Sequence, residues 1–90
     1  MNNQKVVVYI SDANNDCKQL LSQLDYCQID YETKNITQHK DHMEQLQENG
    51  IFGTPATFVN DRLILGRQIN TIKYELGLKQ HESYGRASNG

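Results

Sequence analysis

The sequence has no tryptophan, one proline and two cysteines among its 90 residues. It also lacks a long apolar run. Its main apolar stretch, residues 6–10, is far too short for a membrane-spanning helix or for the core of a signal peptide. We therefore expect a cytoplasmic protein with no membrane partner. Thiols are normally kept reduced in the cytoplasm, so the two cysteines do not predict a structural disulfide.

The sequence shows no excess of basic charge. Nine lysines and arginines against 11 acidic residues give a formal charge of −2, and no basic cluster is present. Because nucleic-acid binding requires clustered cations, we expect no nucleic-acid partner. A content of 37% hydrophobic and 22% charged residues is typical of a globular protein, and 90 residues make one small domain.

The chain is organised around an apolar, β-branched run that passes through a polar turn into a helical pattern. The run Val6–Ile10 predicts a strand buried on both faces. The helix that follows is predicted to end near Leu24 or Asp25 and has one apolar stripe at i, i+3, i+4 and i+7. The stripe consists of Cys17, Leu20, Leu21 and Leu24. Three residues before it are good N-cap types: Asn14, Asn15 and Asp16.

The rest of the chain predicts two helices and three strands. A half-buried strand over Gln28–Thr33 is followed by a helix over Thr37–Glu48. The strands Ala56–Val59 and Arg62–Leu65 form a hairpin joined by Asn60-Asp61. A last helix is capped by Asn70, has Ile69 and Tyr74 as a hydrophobic staple, and ends at Gly77. A parallel pair followed by a hairpin gives an α/β fold of order β-α-β-α-β-β-α. Its four-stranded mixed sheet would carry helices on both faces.

Three stretches in this order resemble the thioredoxin fold in its shortest form, as found in glutaredoxins and glutaredoxin-like electron donors of ribonucleotide reductase. Val8-Tyr9 before the cysteine-bearing helix is similar to the family's first strand and active-site loop. Gly53-Thr54-Pro55 is similar to its cis-proline loop, and Leu65-Gly66 to the glycine turn near bound glutathione. The resemblance implies one glutaredoxin-like domain over residues 1–78. Residues 79–90 have almost no apolar content, which predicts a flexible tail.

The chain departs from the family at its reactive motif. The Cys-X-X-Cys motif of the family falls on residues 14 and 17, so that Asn14 stands where the attacking thiolate would be and Cys17 matches the resolving position. Ser11 stands where many glutaredoxins have a lysine. Asparagine cannot attack a disulfide. It can accept a hydrogen bond from a helix N–H group, and such a cap contributes about 1 kcal/mol.

Two hypotheses for Cys17 follow. As a lone nucleophile, it would be helped by the helix N-terminus, where the dipole stabilises a thiolate. As a core residue, it would turn inward on the apolar stripe, and the acidic neighbours Asp12 and Asp16 would disfavour a thiolate. The pattern favours the core residue.

These alternatives lead to two main functions. The leading one is a glutaredoxin-like thiol–disulfide redox protein with a degenerate motif, capable at most of monothiol exchange through Cys17 with glutathione or a protein disulfide. The other is a catalytically silent module that binds a peptide or small thiol beside Thr54, Pro55 and Gly66, and a purely structural subunit is a third, weaker alternative. A cis bond at Pro55 would press Thr54 against the helix N-terminus and form an edge for an extended peptide. We therefore expect the turn before the first helix and the proline loop to meet. We expect a monomer that requires no cofactor and has glutathione as a possible ligand.

The remaining histidines and thiols predict no metal site and no disulfide. His39 and His42 lie at i, i+3 on the second predicted helix, which is typical of a solvated helix face. Asn14 in place of the first cysteine argues against an iron–sulfur cluster. A helix between Cys17 and Cys27 would separate them by roughly 15 Å, whereas a disulfide requires Cα atoms within about 7 Å.

Overall fold

The computed structural model describes residues 4–78 and confirms the predicted order of elements. These are β1 (Val6–Ile10), α1 (Asn15–Tyr26), β2 (Glu32–Asn35), α2 (Lys40–Glu48), β3 (Ala56–Val59), β4 (Arg62–Leu65) and α3 (Ile69–Glu75). The strands form one sheet in the order β2-β1-β3-β4. β1 and β2 are parallel and the other pairs antiparallel, which is the predicted mixed sheet. The tail predicted over residues 79–90 lies outside the described residues.

The sheet is covered on both faces, and β1 contributes to both coverings. The cluster shared with α1 and α3 consists of Val6, Val8, Leu20, Leu24, Ile29, Val59, Ile64 and Ile72. The smaller cluster on the opposite face consists of Tyr9, Leu46, Ile51 and Ala56. The alternation of the β1 side chains between these clusters confirms that this strand is buried on both faces.

The second strand begins later than predicted, at Glu32 rather than at Gln28. Helix α1 continues to Tyr26, and Gln28 then adopts a positive φ of 58°. The N–H group of Ile29 donates to the carbonyl oxygen of Leu24 at 3.0 Å, so these residues complete the end of the helix. Ile29 is buried against α1 and α3 from this turn. The alternation of apolar and polar residues over Gln28–Thr33 therefore arises partly from the buried end of α1 and partly from β2.

The second helix also begins later, at Lys40 rather than at Thr37. The side-chain oxygen of Asn35 accepts hydrogen bonds from the backbone N–H groups of Thr37 and Gln38 at 2.8 and 3.0 Å. Such a turn satisfies these N–H groups locally and competes with helix formation.

The last helix ends before Gly77 as predicted, but the prediction of its start was wrong. Its N-cap residue is Gln68, and Asn70 lies inside the helix. Tyr74 is 75% exposed and so is not a buried staple partner, whereas Ile72 is fully buried.

The β3–β4 connection has the predicted geometry. Asn60 and Asp61 have φ values of 50° and 74°, the positive values that a two-residue type I′ turn requires. The side-chain oxygen of Asn60 also accepts a hydrogen bond from the N–H group of Lys5 at 2.8 Å.

Candidate functional site

The turn between β1 and α1 meets the loop that precedes β3. The side-chain amide of Asn14 donates to the carbonyl oxygen of Thr54 at 2.6 Å and to its hydroxyl at 3.3 Å. The hydroxyls of Ser11 and Thr54 lie 2.9 Å apart and share a hydrogen bond. The expectation that these two segments meet is thus confirmed, although they are 40 residues apart in the chain.

Asn14 is the N-cap of α1 among the three candidates. Its backbone is extended, and its side-chain oxygen accepts from the N–H group of Asp16 at 2.8 Å. The N–H group of Cys17 donates to the Asn14 carbonyl oxygen at 3.2 Å. One side chain therefore satisfies the helix end through its oxygen and the proline loop through its nitrogen.

Cys17 points into the core. Its side chain belongs to the buried stripe of α1 with Leu20 and Leu24, and it is only 2% exposed. It is a free thiol, as is the partly buried Cys27. The inward direction predicted from the helical stripe is confirmed. A disulfide partner cannot reach this sulfur without movement of the first turn of α1.

The acidic residues beside the turn are held by polar partners. The Asp12 carboxylate accepts from the side chains of Asn35, at 2.7 Å, and Gln38. The Asp16 carboxylate lies 3.4 Å from the guanidinium of Arg67, which also donates to Gln19. Arg67 was missed by the sequence analysis, although a basic residue directly after the glycine turn was the available signal. The ion pair is exposed, so its contribution to stability is small.

Pro55 is buried, and the Thr54–Pro55 peptide bond is cis. The N–H group of Gly66 donates to the Pro55 carbonyl oxygen at 2.9 Å, and Gly66 has a φ of 74°. The structure therefore brings together Asn14, Thr54, Pro55 and Gly66, which the sequence analysis selected.

Three of these residues, Thr54, Pro55 and Gly66, border a groove, here called the proline groove. It is lined by Asn49, Gly50, Ile51, Phe52, Gly53, Thr54, Pro55, Leu63, Leu65 and Gly66. None of these lining residues is charged. Phe52 is 79% exposed. Nothing in the local sequence distinguishes an exposed phenylalanine from a buried one in this loop.

The other predicted features lie away from this groove. The rings of His39 and His42 are 4.9 Å apart at the start of α2. Within residues 4–78, no three histidine, cysteine or acidic side chains are grouped as they would be to hold a metal ion. No helix in this range is long and apolar enough to cross a membrane.

Comparisons with known proteins agree on one family and one fold. The family model described as Glutaredoxin matches residues 6–64 of the chain. No curated protein matches the chain significantly.

Solved structures with the same fold include three of interest. The thioredoxin-like protein BC3987 has a TM-score of 0.73 and 18% identity, over 79% of this chain and 99% of that one. The glutaredoxin-like protein NrdH-redoxin from Escherichia coli has a TM-score of 0.72 and 17% identity, over 78% and 92%. A glutaredoxin from Methanosarcina mazei Go1 has a TM-score of 0.70 and 25% identity, over 82% and 79%.

Proposed function

Because the chain belongs to the glutaredoxin family, we propose that it keeps the proline groove as a binding site but does not exchange disulfides. Its ligand would be a peptide or a small thiol. The observation that carries the proposal is the state of residues 14 and 17. Asn14 is fixed between the helix end and Thr54 by short hydrogen bonds, and Cys17 is 2% exposed.

Exchange through Cys17 would require a costly rearrangement. The Cys17 thiolate would attack a glutathione mixed disulfide, form a bond to the glutathione sulfur and release the other thiol as a thiolate. The attacking sulfur must approach in line with the bond that breaks. A buried sulfur in the first turn of α1 reaches that line only if the turn opens and the Asn14 cap is lost.

Binding does not require that rearrangement. In the groove, Thr54, Pro55 and Gly66 are held in place by the hydrogen bonds described above, none of which involves Cys17. The Thr54 carbonyl oxygen accepts one bond from Asn14 and retains a second lone pair. An extended chain laid along this loop could pair with its backbone. We place the protein in the cytoplasm, where its two free thiols would stay reduced.

Turnover of a small glutathione mixed disulfide in the presence of reduced glutathione tests the proposal. We expect the wild-type chain and Cys17→Ala to show the same rate as buffer. Asn14→Cys, which restores a Cys-X-X-Cys motif, should raise the rate above that background because an exposed thiol then stands at the helix N-terminus. Turnover by the wild type that disappears in Cys17→Ala would overturn the proposal and establish monothiol exchange.

A binding measurement completes the test. NMR titrations with reduced and with oxidised glutathione report which backbone groups sense the ligand. Shifts grouped at Asn14, Thr54 and Gly66 would support a small-thiol ligand in the groove. Shifts scattered over the surface would contradict glutathione as the ligand.

A further inference from the structure

Helix α2 covers only part of its face of the sheet. Leu46 and Ile51 pack against Tyr9 and Ala56 and bury them. The neighbouring row of cross-strand partners on this face runs from Val7 to Phe58 and on to Leu63. Val7 and Phe58 are half-buried at the edge of the cluster, and Leu63 is 41% exposed. The short helix therefore leaves an apolar row beside it.

This row is continuous with the proline groove. Leu65 lies two residues from Leu63 on the same face of the edge strand β4 and is 50% exposed. Phe52, Leu63 and Leu65 together line the groove. We call the five residues the open strip: Val7, Phe52, Phe58, Leu63 and Leu65. A contiguous apolar surface of this kind on a small protein marks an interaction site.

The end of the open strip away from the proline groove is basic. Lys5 and Lys34 line a cavity over Val7 and Phe58. The ammonium of Lys34 lies 5.8 Å from the centre of the Tyr9 ring. Within residues 4–78, neither lysine forms an ion pair with a carboxylate. Asp61 is the one acidic residue that lines this cavity, so its lining has a net positive charge in a protein of net charge −2.

We propose that the open strip docks an extended segment of a partner protein that carries an apolar side chain at one end and acidic side chains at the other. The apolar side chain would enter the proline groove and the acidic ones would pair with Lys5 and Lys34. The inference rests on the proposed function, because the groove is common to both, and it names the partner as a polypeptide. Glutathione fits less well, since its two carboxylates would find no cation in the lining of the groove.

The sheet geometry sets the spacing of the two anchors. Neighbouring strands lie about 4.8 Å apart, so three steps from β4 to β2 span about 14 Å. An extended chain rises about 3.4 Å per residue. The apolar residue and the first acidic residue of the partner should thus lie about four positions apart.

Selection of random dodecapeptides displayed on phage against the full chain tests the proposal. We expect the enriched peptides to pair an apolar residue with acidic residues about four positions away. A synthetic peptide of the enriched sequence should bind the double variant Lys5→Glu/Lys34→Glu at least tenfold more weakly than wild type, because two attractive charges become repulsive. Lys40→Glu is the matched control. It makes the same charge change at the first residue of α2, outside the open strip and its cavity, and should leave binding unchanged.

A further variant tests the apolar end. Leu65→Ser should also weaken binding at least tenfold, and its circular dichroism spectrum should match that of wild type because the side chain is already half exposed. Peptides without acidic residues, or equal binding by the lysine variants, would overturn the proposal. So would sedimentation showing that the strip pairs two copies of this chain and that peptide does not compete.

Failure of this inference is distinguishable from failure of the proposed function. Peptide binding is measured in Cys17→Ala as well as in wild type, so it does not depend on any thiol exchange. Wild-type turnover lost in Cys17→Ala would overturn the silent module, even if the peptide still bound. NMR shifts caused by glutathione at Thr54 and Gly66, without selective peptide binding, would overturn only the proposal that a polypeptide docks on the open strip.

Discussion

At the scale of single residues, Asn14 links the turn before α1 to the loop that holds Thr54 and Pro55. Its oxygen caps α1 and its nitrogen holds Thr54, so the side chain is used at both ends. A cysteine is only a weak hydrogen-bond donor and acceptor, so asparagine at this position stabilises both the helix end and the loop beside it more than a cysteine would.

Substitution of Asn14 should separate these two contributions. Asn14→Ser keeps a hydroxyl that can cap the helix but loses the amide that donates to Thr54. Asn14→Ala loses both and should reduce the free energy of unfolding by about 1 kcal/mol more than Asn14→Ser does. Urea denaturation of the two variants and wild type measures the difference. Equal stability of Ser and Ala at this position would show that the cap contributes nothing.

Tyr31 should make stability depend on alkaline pH. Burial raises the pKa of Tyr31 above its ordinary value of 10.0, and the hydrogen bond to Asp25 and the charge of that carboxylate raise the pKa further. A raised folded-state pKa gives a stabilising contribution that is present below pH 10 and lost as the pH rises through the folded pKa.

Comparison with Tyr31→Phe isolates that contribution. Between pH 8 and about pH 11, the free energy of unfolding of wild type should fall more steeply than that of Tyr31→Phe. Tyr26→Phe removes a hydroxyl from a side chain that is 89% exposed and serves as the control. Parallel pH profiles for wild type and Tyr31→Phe would contradict the expectation.

At the scale of elements, local signals were reliable where the backbone conformation is determined by neighbouring residues alone. The β1 run, the start of α1 and the β3–β4 hairpin have their predicted positions. The starts of β2, α2 and α3 were wrong. In the first two cases, a residue that looked like part of the element makes a hydrogen bond in a turn instead, at Ile29 and at Thr37. Such competition is decided by small energy differences that pattern alone does not contain.

The backbone of the hairpin turn is strained at Asp61. Asp61 has a φ of 74°, which costs a residue with a Cβ roughly 1–2 kcal/mol, less for Asp. Asp61→Gly removes that cost but adds unfolded-state entropy, so it should stabilise the fold by about 0.5 kcal/mol. Asn60→Gly should not stabilise, because it also loses the bond to the Lys5 N–H group. Thermal unfolding of both variants checks the pair, and a less stable Asp61→Gly would refute the interpretation.

At the scale of the whole molecule, stability depends on a small core divided by the sheet. A domain of this size has a net stability of only about 5–15 kcal/mol, so one large side chain is a substantial part of it. Leu20 and Leu24 are fully buried between the sheet and α1, the helix that Asn14 caps. The site is therefore only as rigid as the contact of α1 with the sheet.

Replacing leucines by alanine should show how much more a buried leucine contributes to stability than an exposed one. Leu24→Ala should cost about 2–5 kcal/mol and lower the melting temperature by more than about 10 °C. Leu65→Ala is the matched change at a side chain that is 50% exposed, and it should cost less than about 1 kcal/mol. Differential scanning calorimetry measures both. Similar losses would mean that Leu65 packs in the folded protein and is not available to a partner.

The functional residues fall into two groups, those that the sequence identifies and those that only the structure shows. Asn14, Cys17, Thr54, Pro55 and Gly66 were selected from sequence because the family motifs place them. Arg67 and Phe52 were not, because an exposed arginine pairs with whichever carboxylate the fold brings near, and a phenylalanine is exposed or buried according to what covers it.

The sequence by itself determined the order of the elements, the face of α1 that is buried and the presence of a capping asparagine at residue 14, because each depends on residue type and short-range spacing. Only the tertiary structure decided that Asn14 is bonded to Thr54 and that α2 is too short to cover Phe58 and Leu63. Those outcomes depend on contacts between residues far apart in the chain, whose distances are set by the packing of the complete sheet and its helices.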